Sequence, residues 1–223
     1  IVMPITFLIT AFGMSVGIGG SSIVSRALGE KNLEKALRAF NNQVSITTVG
    51  ASVIILLGFI FKENILILFG AKGNLMELSN IYFSILLVGI PFLTGAMMAN
   101  SNLRAEGKAR LPMLVMIIIS LSNILFDQIF IVGFEMGMEG AGWATTLSYM
   151  AGGITLAIYY LSGKAEMKVV PKLFILEKAI VKEIFSNRIV SFIRQGSVGL
   201  ISIVLNHSLF YYGGLNGVGG ENA

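Results

Sequence analysis

The sequence predicts an all-α integral membrane protein, a polytopic bundle of six transmembrane helices. Three observations carry that prediction. First, hydrophobic residues make up 55% of the 223 residues and charged residues 13%, with a mean hydropathy of +0.81. A soluble domain carries about 25% charged residues, so half that share cannot cover a soluble surface, and a disordered chain is apolar-poor. Second, the charges leave six stretches of 23 to 26 residues, five without any Asp, Glu, Lys or Arg and one with a single Asp. A bilayer core about 30 Å thick needs about 20 apolar residues in a helix. Third, the Lys and Arg residues crowd into alternate connections.

Residues 1–25 form the first stretch, with Gly13 and Gly17 at the small-xxx-small spacing that lets membrane helices approach closely. Arg26, Lys31, Lys35 and Arg38 follow. Residues 39–61 form the second stretch, and Lys62 and Lys72 stand in the next connection. Residues 78–103 carry Pro91 mid-helix, where a kink is expected. Arg104, Lys108 and Arg110 follow. Residues 111–134 hold Asp127, and the connection to residues 140–163 has no basic residue. The long segment 164–194 carries seven Lys and Arg. After its Pro171, helical spacing puts Leu173, Leu176, Ile180 and Ile184 on one face, either of a helix lying on the inner leaflet or of a linker helix between two bundles. The last stretch, residues 195–220, contains His207.

The first, third and fifth connections hold 14 of the 16 Lys and Arg. The loops around 26–38, 104–110 and 164–194 are therefore expected to be cytoplasmic, in a multi-pass plasma-membrane protein. The first helix then enters from outside. A cytoplasmic N-terminus would need one more helix before residue 1, and the chain is expected to be a piece of a longer protein. The net charge of +4 is this loop bias, and no nucleic-acid partner is implied.

With no Cys, one His and one Asp, the chain has no disulfide or thiolate chemistry, and its spans hold no metal cluster, carboxylate pair or triad. An enzyme is not expected, and no resident cofactor. No filter-like loop or ring of charges suggests a channel.

Asp127 is the informative intramembrane residue, since a central carboxylate costs about 2.5–3.5 kcal/mol to insert. Counted from the ends of the apolar stretches at 1.5 Å per residue, Asp127 lies roughly 10 Å deep, Thr145 roughly 8 Å and Tyr82 roughly 6 Å. Asn123 shares a face with Asp127 one turn below. One carboxylate with neutral oxygens suits a proton or a hard monovalent cation such as sodium, and exchange between them would give ion coupling a physical handle. The alternatives are a structural anchor for Asp127, an interfacial belt position for Tyr82, and a packed neutral imidazole for His207.

Residues Gly17-x-Gly19-x-Ser21-Ser22-x-x-Ser25-Arg26-x-Leu28-Gly29, with Asn32 and Ala36, resemble the second-helix motif of the multidrug and toxic compound extrusion (MATE) family. Arg104-Ala-Glu-Gly107 with Pro112 resembles its link between helices four and five. Asn123-x-x-x-Asp127 followed by Gly137-x-x-Gly140-Ala141-x-x-Ala144-Thr145 resembles its helices five and six. The resemblance implies twelve helices in two lobes. Residues 1–163 would be five helices of the N-lobe, 164–194 a cytoplasmic inter-lobe loop, and 195–223 the first helix of the C-lobe. It implies an antiporter, monomeric when full-length, that exports cationic or amphipathic organic compounds in exchange for sodium or protons. Asn123, Asp127 and Thr145 would hold the ion, and Tyr82, Asn100 and Gln195 would border the substrate cavity. The alternative is a lipid-linked saccharide flippase of the same wider superfamily, which would need Lys and Arg in its cavity.

Overall fold

A computed structural model describes residues 2–163, 165–170, 173, 174 and 176–186, and five single positions beyond them (197, 201, 204, 205 and 208). The expected helix over 195–220, with Gln195 and His207, lies outside the described residues apart from those positions. Five long helices form: α1 (Val2–Gly29), α2 (Leu33–Ile60), α4 (Asn74–Ala105), α5 (Arg110–Asp127) and α6 (Gly137–Leu161). Two short ones join them, α3 (Lys62–Leu68) and α7 (Lys178–Ser186). The described residues contain no strand. By length and composition α1, α2, α4 and the α5 segment can each cross a membrane. Their outer faces carry large apolar side chains, such as Val53, Leu56 and Ile60 on α2 and Leu121, Ile124 and Leu125 on α5. The chain is a multi-pass membrane protein.

Local chemistry sets the helix ends. The Asn32 side chain accepts from the Lys35 N–H at 3.0 Å and caps α2. α4 ends in a Schellman motif, with Lys108 N–H donating to Leu103 O at 2.8 Å, Gly107 N–H donating to Arg104 O at 3.0 Å, and Gly107 at φ +76°. α1 ends the same way, but there Lys31 takes the left-handed position at φ +56°. Beyond α4, the Lys108 ammonium meets the buried Glu106 carboxylate at 2.9 Å and stands over the Tyr159 ring. Burial lowers the pKa of Lys108, but its hydrogen bonds to Glu106 and Tyr159 outweigh that and hold it above the ordinary lysine value.

α4 and α6 begin at residues 74 and 137, earlier than the charge-free stretches at 78 and 140. The reason is that Glu77 and Glu139 sit in their first turns, where the helix dipole favours a carboxylate. α4 runs on through Pro91. α5 passes at Asp127 into a π-helical stretch, Gln128–Gly133.

α4 is the centre of the bundle. α1 and α2 pack on one side of it and on each other; α6 packs on the other side and carries α5. The α1–α4 approach depends on Gly13 and Gly17: a Cβ on Gly17 would stand 2.9 Å from Ser101 Oγ and 3.0 Å from Met98 Cα. Two clefts remain because α2 scarcely packs on α6, and α1 scarcely on α5.

One end of the bundle, here the basic end, carries Arg26, Arg38 and Arg104. There Gln43 and Asn102, both fully buried, exchange two side-chain hydrogen bonds that tie α2 to α4. The chain after α6 runs back across this end. Asn41 Nδ2 donates to Lys168 O at 3.0 Å and Asn41 Oδ1 accepts from Val170 N–H at 2.7 Å. Asn42 Oδ1 accepts from Glu177 N–H at 2.8 Å. α7 then docks on α1, with Ile184 buried against Gly19 and an Arg26–Glu183 ion pair at 2.6 Å. This corrects the expected apolar face. Ile180, Val181 and Ile184 pack inward, whereas Leu176 precedes the helix and is exposed. The difference arises because Asn42 captures the Glu177 N–H, so the helix starts only at Lys178.

Candidate functional site

The α1/α5 cleft encloses a cavity of about 560 Å³ at the end away from the basic loops. α1 contributes Thr6 and α4 contributes Ser79 and Tyr82. Asn123 enters from α5, Thr145 and Tyr149 from α6. Tyr82 and Thr145 hydroxyls stand 3.4 Å apart, in hydrogen-bond range, and Thr145 also donates to Ala141 O at 2.9 Å. The Tyr82 hydroxyl thus links α4 to α6 at the level where the cavity is polar.

Of the residues singled out in the sequence, Tyr82, Asn123 and Thr145 border this one cavity. Asp127 does not border it; it is half-buried at the last residue of α5, one turn from Asn123 towards the end with few basic residues. The early starts of α4 and α6 explain the offset. Tyr82 and Thr145 are each eight residues into their helices, about 12 Å along them rather than 6–8 Å. That level falls between Asp127 and Asn123.

Asn100 stands apart. It lies 18 residues beyond Tyr82 on α4, about 27 Å away along the helix. It is buried near the basic end, and its Oδ1 has no partner among the described residues. Gln195 lies outside the described residues. Sequence reasoning missed Thr6, Ser79 and Tyr149. Tyr149 was findable, because it follows Thr145 by four residues and shares its helix face.

Phe126, Phe130 and Phe134 stack in series at 6.0 and 6.2 Å, flanking Asp127 and the π-helical stretch. Among the described residues no group of three His, Cys, Asp or Glu gathers to hold a metal ion. The polar side chains that border the cavity are neutral amide, hydroxyl and phenol groups, and Asp127 stands one helical turn from Asn123 on α5.

The MatE family profile matches residues 1–129. The multidrug export protein MepA of Staphylococcus aureus is 26% identical over 211 residues, 95% of this chain and 47% of that protein. MepA of Staphylococcus saprophyticus is 26% identical over 212 residues, with the same coverage. A multidrug resistance MATE family transporter of the MOP superfamily in its inward-facing conformation superposes with a TM-score of 0.91 at 28% identity, over 97% of this chain and 50% of that one. An outward-facing conformation superposes with a TM-score of 0.84 at 28% identity, covering 97% and 48%. The chain spans about half the length of the relatives it matches.

Proposed function

The chain belongs to the MatE family, and from that premise we propose that it forms five helices of the N-lobe, the inter-lobe loop and the first helix of the C-lobe of a secondary antiporter that exports cationic or amphipathic organic compounds in exchange for sodium or protons. The observation that carries this reading is the Tyr82–Thr145 contact in a cavity that Asn123 also borders, inside helices that are otherwise apolar. Intramembrane polar groups are expensive and mark ion or substrate paths. Asp127, one turn away, supplies the carboxylate, and Asn123 and Thr145 the neutral oxygens of a proton or sodium site. In this reading the basic end is cytoplasmic. Alternating access needs a second lobe, which would close the α1/α5 cleft from the open side. The relatives' length, about twice that of the chain, supports a two-lobe protein. Among the described residues no Lys or Arg borders the cavity, which disfavours a pyrophosphate-bearing saccharide lipid as cargo.

The test is efflux of a fluorescent cationic dye from cells expressing the full-length transporter. Asp127→Asn and Thr145→Val are expected to abolish efflux while leaving membrane insertion intact, and sodium dependence of the wild type would identify the ion. Unchanged efflux in both variants would remove this site from the mechanism.

A further inference from the structure

Asn123 and Thr145 border the α1/α5 cavity, whereas the Asp127 carboxylate, one turn beyond Asn123, does not. The backbone changes character at that residue. α5 is α-helical through Asp127, and the Gln128 N–H still reaches Ile124 O and Leu125 O. Gln128–Gly133 is then π-helical. Phe134 N–H donates to Ile129 O at 2.9 Å, five residues back, and Met136 N–H to Phe130 O at 3.0 Å. A π turn holds one residue more than the α-helical turn it replaces, and such turns are frequent at functional sites.

The π stretch begins between two close contacts of α5 with α6. On the basic side, a Cβ on Gly152 would overlap the Ile119 side chain. On the other side, a Cβ on Gly140 would stand 3.1 Å from Phe130 Cβ, so a glycine lets α6 lie against the π turn. The two contacts run in opposite directions along the two helices, which are therefore antiparallel. Seven residues, two turns, beyond Ile119 is Phe126, and seven residues before Gly152 is Thr145. Half-buried Phe126 thus occupies the α6-facing place on α5 at the level of Thr145. Leu125 beside it is exposed.

We propose that the surplus residue of the π turn moves past Asp127, and that this register shift carries the carboxylate into the ion site. With the surplus residue one turn earlier, between Asn123 and Asp127, Asp127 steps back by one helical position. It turns about 100° and moves about 1.5 Å along the axis, into the place that Phe126 holds in this structure. Asn123 keeps its place, so amide, carboxylate and the Thr145 hydroxyl come to one level. Phe126 moves to the exposed place of Leu125. Each N–H in the shifted turn exchanges one carbonyl for its neighbour, and helix register shifts take microseconds to milliseconds. The role of the site in ion exchange rests on the antiporter reading; the register shift itself does not.

The test uses the full-length transporter in liposomes with a single cysteine, Phe126→Cys, carrying a nitroxide; the 223 residues contain no other. Two spectral components are expected, one immobilised against α6 and one mobile at the bilayer. The coupling ion, tested as added sodium and separately as acidification, is expected to raise the ratio of mobile to immobilised label about threefold or more. Deleting Val132 removes the surplus residue and makes the segment continuously α-helical. The deletion is expected to leave only the immobilised component, and to abolish dye efflux while membrane insertion and the thermal midpoint are kept. A single component in the parent, two components that neither ion shifts, or undiminished efflux after the deletion would overturn the proposal. If the deletion fails to insert, the spectrum of the parent decides alone. Two ion-responsive components in a parent that exports no dye would remove the efflux reading and leave the register shift standing.

Discussion

Replacing Asn102 with Leu isolates what holds α2 against α4. Asn102 Nδ2 donates to Gln43 Oε1 at 2.8 Å and to Met98 O at 2.9 Å, and Gln43 Nε2 donates back to Asn102 Oδ1 at 3.3 Å. Both side chains are fully buried. Asn102→Leu would leave the Gln43 amide without its two partners, and an orphaned buried polar group costs about 1–3 kcal/mol. In membrane proteins interhelical hydrogen bonds average about 0.6 kcal/mol and reach about 1.7, because the unfolded chain also finds partners in the membrane. Two such bonds put the pair's coupling at about 1–3 kcal/mol. The assay is reversible denaturation of the purified full-length protein in mixed detergent, followed by far-ultraviolet circular dichroism, for Asn102→Leu, Gln43→Met and the double variant. The double variant is expected to lose less than the sum of the single losses, by that coupling. Strictly additive losses would refute the reasoning and leave the two amides as independent helix-capping groups within their own turns.

Three further outcomes follow from the packing. Gly17→Leu should force α1 off α4, because even its Cβ would press on Met98 Cα and Ser101 Oγ; a loss of about 1–3 kcal/mol is expected in the same assay, while Gly29→Ala, facing open space, should be tolerated. Lys31→Gly should stabilise the protein by about 1 kcal/mol, since Lys31 holds a left-handed backbone at φ +56° that glycine adopts freely; a lowered midpoint would show the strain is absent. At α7, Ile184→Ala should cost about 2–4 kcal/mol, because the side chain is fully buried against Gly19. Glu183→Gln should cost under about 1 kcal/mol despite the short contact to Arg26, because both side chains are about half exposed. The reverse order would mean that charge, rather than burial, docks the helix.

The places where sequence reasoning erred are instructive in the same physical terms. Counting charge-free residues placed the helix starts too late at Glu77 and Glu139, because an acidic residue is acceptable, and favoured, in a first helical turn. That error of three or four residues shifted the expected level of Tyr82 and Thr145 by about one turn, and with it the partner they meet. At the α7 segment, periodicity showed an apolar face but could not reveal that Asn42 would cap the backbone at Glu177 and delay the helix.

Four of the expected spans, those of α1, α2, α4 and the α5 segment, were legible in the sequence alone, because an unpaired charge in hydrocarbon is so unfavourable that the charge pattern dictates where helices cross. The family motifs likewise pointed to the fold that the superpositions bear out. Which helices touch was decided by the tertiary structure. Small residues such as Gly13 and Gly17 let α1 approach α4, while the same residue type at Gly95 leaves open space. Only the three-dimensional packing distinguishes the two, because a glycine's consequence depends on what stands opposite it. The polar cavity on one side of α4 and the α2/α6 cleft on the other both follow from that choice of neighbours.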